Sequence, residues 1–289
     1  IDTWLNLGAA GFRLDVADEL PDEFIEKIRQ AVKAHGADKL LIGEVWEDAT
    51  TKEAYGRRRT YLRGRGLDAV MNYPFRNAVL GYLSGESVAS VCEQIMTICE
   101  HYPPPALNCL MNFLSTHDTE RALTVIAGEP ANGRDRYWQS GRRVPPGRVD
   151  EGLRKMLLGY AMIYTLPGVP CIYYGDEIGM QGYRDPFNRA FFDWNSTEER
   201  LRGPLRNLAR LRRTCDAFDG GRMEIVRAEG DVLHYRRVGK NQTAEILFNR
   251  GPHLLAETAF GKSTEVNPGG FTVLVEDNAP EHVGYFSIY

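Results

Sequence analysis

The chain has 289 residues, 43% hydrophobic and 26% charged, with 35 Lys and Arg against 39 Asp and Glu for a formal net charge of −4. That length suits one large domain or one and a half ordinary ones, and the composition is that of a soluble globular protein. The near-balanced charge excludes a bulk pull toward nucleic acid or an anionic membrane, and no apolar run reaches the length of a membrane span. The cysteines Cys92, Cys99, Cys109, Cys171 and Cys215 are odd in number and form no Cys-x-x-Cys pair, which argues against a disulfide framework or a metal cluster. A reduced, cytoplasmic compartment is the expectation. Because the chain opens on Ile1 rather than Met, the silence about an export signal carries little weight.

In chain order, residues 11–16 read as a buried strand. Pro21-Asp22 then opens a helix with Phe24, Ile25, Ile28, Ala31 and Val32 on one face, and Gly36 stops it. Residues 40–44 and 67–71 read as the next two strands. A helix around residues 88–99, with Cys92 and Cys99 on its apolar face, is stopped by Pro103-Pro104-Pro105. Residues 108–115 form a fourth strand, and 128–150, rich in Gly, Pro and Arg, a long surface loop. A helix carrying Leu153, Met156, Leu157, Tyr160, Ala161 and Tyr164 leads to a fifth strand at 169–174. An amphipathic helix over 201–214 closes the alternation.

Such alternation implies a parallel sheet covered by helices. Beyond about Gly220 the texture changes to short strands at 232–235, 244–248 and 271–275, with turn residues between them and no helical period. The expected architecture is α/β over residues 1–215, followed by a small antiparallel β-sandwich over 216–289.

Three acids stand at matching places. Asp15 closes the first strand, Glu44 the second, and Asp118 follows the fourth within Thr116-His117-Asp118. The spacing of Asp15 and Glu44 matches one strand–helix–strand unit of roughly 30 residues. In an α/β barrel the C-terminal strand ends converge on one mouth, so acids distant in sequence can meet there. Alternate strand residues share a face, which puts the Arg13 guanidinium on the same side as Asp15. Each feature alone has a bland reading: a structural ion pair for Arg13 and Asp15, a helix cap for His117-Asp118. The run Arg57-Arg58-Arg59 with Arg63 and Arg65 reads as a solvated face.

Together the motifs resemble the α-amylase family of glycoside hydrolases. Gly-Phe-Arg-Leu-Asp at 11–15, Gly-Glu-Val-Trp at 43–46 and Thr-His-Asp-Thr at 116–119 are similar to three of its signature regions. The stretch 170–179 resembles its last barrel strand, and Asp185-Pro186-Phe187-Asn188-Arg189 the loop after it. Val-Met-Asn-Tyr-Pro-Phe at 70–75 is similar to the neopullulanase and cyclomaltodextrinase branch.

The resemblance implies a partial (β/α)8 TIM barrel, strands four to eight, as the C-terminal portion of a longer enzyme. It implies a retaining hydrolase of α-1,4-linked glucans, with α-1,6 links also admitted: maltooligosaccharides, cyclodextrins, pullulan or starch. Asp15 matches the family's nucleophile, Glu44 its general acid/base and Asp118 its third acid, which holds sugar hydroxyls. His117 would bond the same sugar, Trp46 would stack on a glucose unit, and Arg13, Asp185 and Arg189 would line the substrate site. Asp176 and Glu177 are expected to support the barrel rim. No cofactor or metal is assigned, since the calcium common in the family is held by a domain absent from this chain. The alternatives are a transglycosylase or isomerase, in which a sugar hydroxyl replaces water, and an inactive fragment that only binds sugar. Five strands of eight would leave two open edges and expose apolar core, so the chain by itself is expected to be inactive or nearly so and to pair through those edges as a homo-oligomer.

Overall fold

A computed structural model describes residues 1–278 apart from 259 and 262; the end of the expected 216–289 unit lies outside the described residues. A short helix, α1 (Asp2–Asn6), precedes strand β1 (Gly11–Leu14) and helix α2 (Asp22–Ala34). Strand β2 (Leu40–Gly43) follows, then a hairpin of β3 (Glu53–Ala54) and β4 (Arg57–Arg58), and strand β5 (Ala69–Val70). Three helices come next, α3 (Tyr73–Ser84), α4 (Val88–His101) and α5 (Pro104–Leu107), and lead to strand β6 (Met111–Asn112). Helices α6 (Ala122–Ala127), α7 (Arg136–Gly141) and α8 (Pro146–Thr165) precede strand β7 (Val169–Pro170), and α9 (Arg202–Thr214) ends this part.

The parallel strands stand side by side in chain order. β1 pairs with β2 from Gly11 opposite Leu40 to Leu14 opposite Gly43, and β2 pairs with β5. Met71 bridges Met111 in parallel, and β6 pairs with β7. The result is a barrel-like α/β core in which the described strands do not close into a ring. Glycine lets the first two strands meet closely: a Cβ at Gly11 would lie 2.0 Å from the Leu40 carbonyl oxygen. One at Gly43, next to Glu44, would lie 2.3 Å from Leu67 Cδ1.

Two expectations need correction. Helix α3 was not anticipated, although Asn72 caps it by accepting from the Phe75 N–H at 3.2 Å and Gly85 ends it in the left-handed region. Its side chains are buried almost all round, so no polar face marks a helical period. The expected loop at 128–150 contains α7, whose Asp135 cap accepts from the Trp138 N–H at 2.8 Å, and the first turn of α8, opened by Pro146.

The fourth and fifth strands are shorter than expected. Asn112 is buried between them; its Nδ2 donates to the Pro167 carbonyl at 2.7 Å and its Oδ1 accepts from Asn72 at 2.8 Å. These side-chain bonds stand beside the backbone ladder, in which the Val169 and Cys171 N–H groups donate to the Leu110 and Asn112 carbonyls, both at 2.7 Å.

Strands β8 (Arg222–Glu229), β9 (Val232–Val238), β10 (Gln242–Asn249) and β13 (Gly270–Asp277) form an antiparallel sheet in the order β13-β10-β9-β8, and β11 (Leu254–Glu257) with β12 (Ser263–Val266) a separate hairpin. The sheet shares one apolar core with the helices, through Leu233, Tyr235, Ile246, Phe248 and Val273. Two arginines bind the C-terminal end of α8, Arg212 from α9 and Arg237 from β9 of the sheet, where a cation meets unpaired carbonyls and the negative helix pole. Arg212 donates to the Tyr164 carbonyl at 2.8 Å, and Arg237 to the Thr165 carbonyl at 2.8 Å and the Gly221 carbonyl at 2.9 Å. Burial lowers the Arg237 guanidinium to about 10.

A second buried arginine organises the loops that follow β6 and β7. Arg121 and Asp176 are fully buried and pair at 3.2 Å, with Tyr160 donating to the other Asp176 oxygen at 2.7 Å. Arg121 also lies over the rings of Tyr173 and Tyr174 and donates to the Asn188 carbonyl at 3.0 Å. Asn188 in turn donates to the carbonyls of His117 and Thr119, both at 2.7 Å. Asp176 therefore braces the segment carrying His117 and Asp118 from below. Asp176→Ala leaves Arg121 buried without its anion and should cost about 3–5 kcal/mol. Urea unfolding measures this, and a loss under about 1 kcal/mol would contradict the brace.

Candidate active site

The parallel ladder brings Asp15 and Glu44 together, because each follows the last paired residue of its strand, Leu14 opposite Gly43. Between them stands Arg13. One guanidinium nitrogen pairs with Asp15, and the other lies 2.9 Å from Glu44 Oε2. The two carboxylates differ in setting: Glu44 is 4% exposed, whereas the Asp15 side chain is 76% exposed.

Two further donors fix the Glu44 carboxylate. The Val16 N–H donates to Oε2 at 2.9 Å, and the Trp46 indole N–H donates to Oε1 at 3.2 Å. Val16 adopts a left-handed backbone with φ 43°, a strained state for a β-branched residue. That kink follows Asp15 directly and aims the amide at Glu44.

Trp46 was expected to offer an apolar face for stacking a glucose unit. One of its two faces is stacked on Tyr73, with ring centroids 4.3 Å apart and planes 12° apart, and the residue stays 47% exposed. Tyr73 meets Phe113 edge-on at 4.9 Å.

His117, Asp118, Asp185 and Arg189 form a second group. His117 Nε2 lies 3.0 Å from Asp118 Oδ2, and Arg189 reaches Asp118 Oδ1 at 3.4 Å and Asp185 Oδ1 at 3.0 Å. Arg189 also donates to the His117 carbonyl at 3.1 Å. Tyr73 links the two groups electrostatically. Burial raises its hydroxyl to about 12, and the charges of Glu44 and Asp118 push the same way.

All eight residues singled out from sequence thus lie in these two groups. Tyr73 and Val16 were not singled out. Tyr73 opens helix α3, three residues after the strand ends at Val70, so no strand-end position marks it. Nothing in the sequence marks the kink at Val16. Among the described residues no three His, Cys, Asp or Glu side chains gather as a metal site, and no helix is long and apolar enough to cross a membrane.

A model of the α-amylase catalytic domain matches residues 1–214. The chain belongs to the α-amylase family. Its relatives place it in the neopullulanase and cyclomaltodextrinase-like branch. It is 34% identical over 246 residues to a cyclomaltodextrinase of Geobacillus thermopakistaniensis, covering 83% of this chain and 36% of that protein. It is 33% identical over 256 residues to neopullulanase 2 of Thermoactinomyces vulgaris, covering 86% and 38%. Among solved structures, the cyclic α-maltosyl-(1→6)-maltose hydrolase of Arthrobacter globiformis superposes with a TM-score of 0.80 at 27% identity, over 96% of this chain and 57% of that one. The chain therefore spans little more than a third of the length of these sequence relatives.

Burial raises the Tyr73 hydroxyl, a bond with Thr116 opposes the rise, and its titration probes the site. The unfolded chain ionises this phenol near pH 10, and the folded chain only toward about 12. Stability tied to the neutral phenol is therefore intact below pH 10 and lost as pH climbs toward about 12. Tyr73→Phe cannot ionise, so across that window its stability relative to the parent should improve by about 3 kcal/mol. Parallel urea titrations at successive pH values measure the difference; a gap that does not change with pH would contradict the buried neutral phenol.

Proposed function

We propose that the protein carrying this chain is a retaining α-glucoside hydrolase acting on α-1,4-linked glucans, α-1,6 branch links included. Maltooligosaccharides, cyclodextrins and pullulan are the substrate class. Residues 1–215 would supply strands four to eight of its catalytic barrel, and residues 216–289 a C-terminal β domain. One observation carries the reading: a single guanidinium, Arg13, pairs with both Asp15 and Glu44 at the ends of neighbouring parallel strands. Retaining glycosidases hold their two carboxylates roughly 5–5.5 Å apart, and a guanidinium paired with both acids supports such a close pair. The family membership and the names of the relatives support the same chemistry.

In this mechanism the Asp15 carboxylate attacks the anomeric carbon while Glu44 gives its proton to the departing glycosidic oxygen. A glycosyl–Asp15 ester forms as the C–O bond to the leaving sugar breaks. Glu44, now a carboxylate, takes a proton from an incoming water, whose oxygen attacks the anomeric carbon and frees Asp15. Asp118 and His117 accept and donate hydrogen bonds to the hydroxyls of the same ring. The exposed part of Trp46 bears on a neighbouring glucose unit, and Asp185 and Arg189 bear on units further along.

In the full-length protein, Glu44→Gln should lower kcat on maltotriose by about 10²–10⁴-fold, the usual worth of a general acid/base. Asp15→Asn should be at least as damaging, since no covalent intermediate can form. Calorimetric titration with maltotriose should show both variants still binding sugar. Turnover that survives unchanged in either variant would overturn the roles assigned here.

A further inference from the structure

The loop after the Asp15 strand and the hairpin after the Glu44 strand enclose a cleft. It has a volume of about 510 Å³ and is lined by Glu19, Asp22, Glu23, Tyr55, Arg57 and Arg59. Its position is fixed from both sides. Lys52, on the hairpin side, pairs with Glu47 at 2.6 Å and with Asp18 at 2.9 Å, which ties the segment after Trp46 to the segment after Asp15. Arg59, nearly buried at the hairpin base, pairs with Asp22 at 2.9 Å and donates to the Asp18 carbonyl at 2.8 Å. A rigid stem is thus bolted to the rim of the site.

At the tip of that stem sits Tyr55, with 75% of its surface open to solvent. Tyr55 and Gly56 form the two-residue loop between the paired strands Glu53–Ala54 and Arg57–Arg58, with φ 54° and 71°. Such a loop favours Asn or Asp before Gly, because both central residues must be left-handed. A bulky aromatic there is held against local preference, and it packs on no other aromatic ring described. Its hydroxyl bonds to Glu19, four residues beyond Asp15, so the ring is steered toward the cleft.

We propose that Tyr55 is a specificity-determining residue, whose ring contacts a glucosyl unit of a long or branched glucan beyond the units held at Asp15 and Glu44. The Glu19, Asp22 and Glu23 carboxylates accept hydrogen bonds from that unit's hydroxyls. An apolar ring face beside carboxylate acceptors is the pairing that a pyranose offers in reverse, C–H groups on one face and hydroxyls at the edge. The inference rests on the glucan-hydrolase reading and names which substrates that site would favour.

The test uses the full-length protein with Tyr55→Asn and Tyr55→Phe, and compares kcat/KM on maltoheptaose and maltotriose. Tyr55→Asn should lower the maltoheptaose-to-maltotriose ratio by roughly fivefold, mainly through KM, the worth of one aromatic contact. Tyr55→Phe, which keeps the ring and loses the bond to Glu19, should hold the ratio near that of the parent. Asn suits the left-handed position, so Tyr55→Asn should melt no lower than the parent. A ratio unmoved by Tyr55→Asn, or moved as far by Tyr55→Phe, would overturn the proposal while leaving the hydrolase reading intact. A lower melting point with an unmoved ratio would make Tyr55 a structural residue. A parent protein that cleaves neither sugar would instead sink the hydrolase reading itself.

Discussion

The Arg13 guanidinium is the interaction on which the site depends. Two carboxylates brought side by side repel each other, and the buried Glu44 also loses its water. A planar cation that presents separate nitrogens to Asp15 and Glu44 offsets both costs at once. Its place is set by alternation along one strand and by the parallel register that puts Leu14 opposite Gly43. The absence of a side chain at Gly43 then leaves room for Leu67 to pack behind Glu44. The Val16 kink adds an amide donor that no regular strand would aim there.

Around this centre, other arginines hold the surrounding segments. Arg59 binds the hairpin after Glu44 to the loop after Asp15. Arg121 with Asp176 holds the segments after the sixth and seventh strands, and through Asn188 the backbone of His117. Arg237 joins the long helix to the antiparallel sheet and Arg212 joins it to α9, both through carbonyls. The shared device is a donor fork that satisfies several loop carbonyls where no regular ladder reaches them.

Much of this was legible in the sequence. The five parallel strands and their order follow from short apolar runs separated by amphipathic helices, and the three acids stood out because each follows such a run. Helix α3 escaped because its burial on nearly all sides erases the periodicity that marks an amphipathic helix. The shortening of β6 escaped because the apolar run over 108–115 marks burial and not where strand pairing ends. That Tyr73 covers one face of Trp46 was not legible, because the two residues meet only after two strands are laid side by side. Nor can the pairing of Glu44 with Asp15 be read from either residue alone, since it rests on the cation they share.

The most direct measurement is the anomeric configuration of the first-formed product, followed by proton NMR as the full-length protein cleaves a maltooligosaccharide. In the proposed mechanism Asp15 attacks the anomeric carbon directly, as in retaining enzymes, where no water fits between the two carboxylates. The α-anomer should therefore appear first and mutarotate only afterwards. Initial release of the β-anomer would mean that the carboxylates act across a wider gap, and the account built on Arg13 would fail.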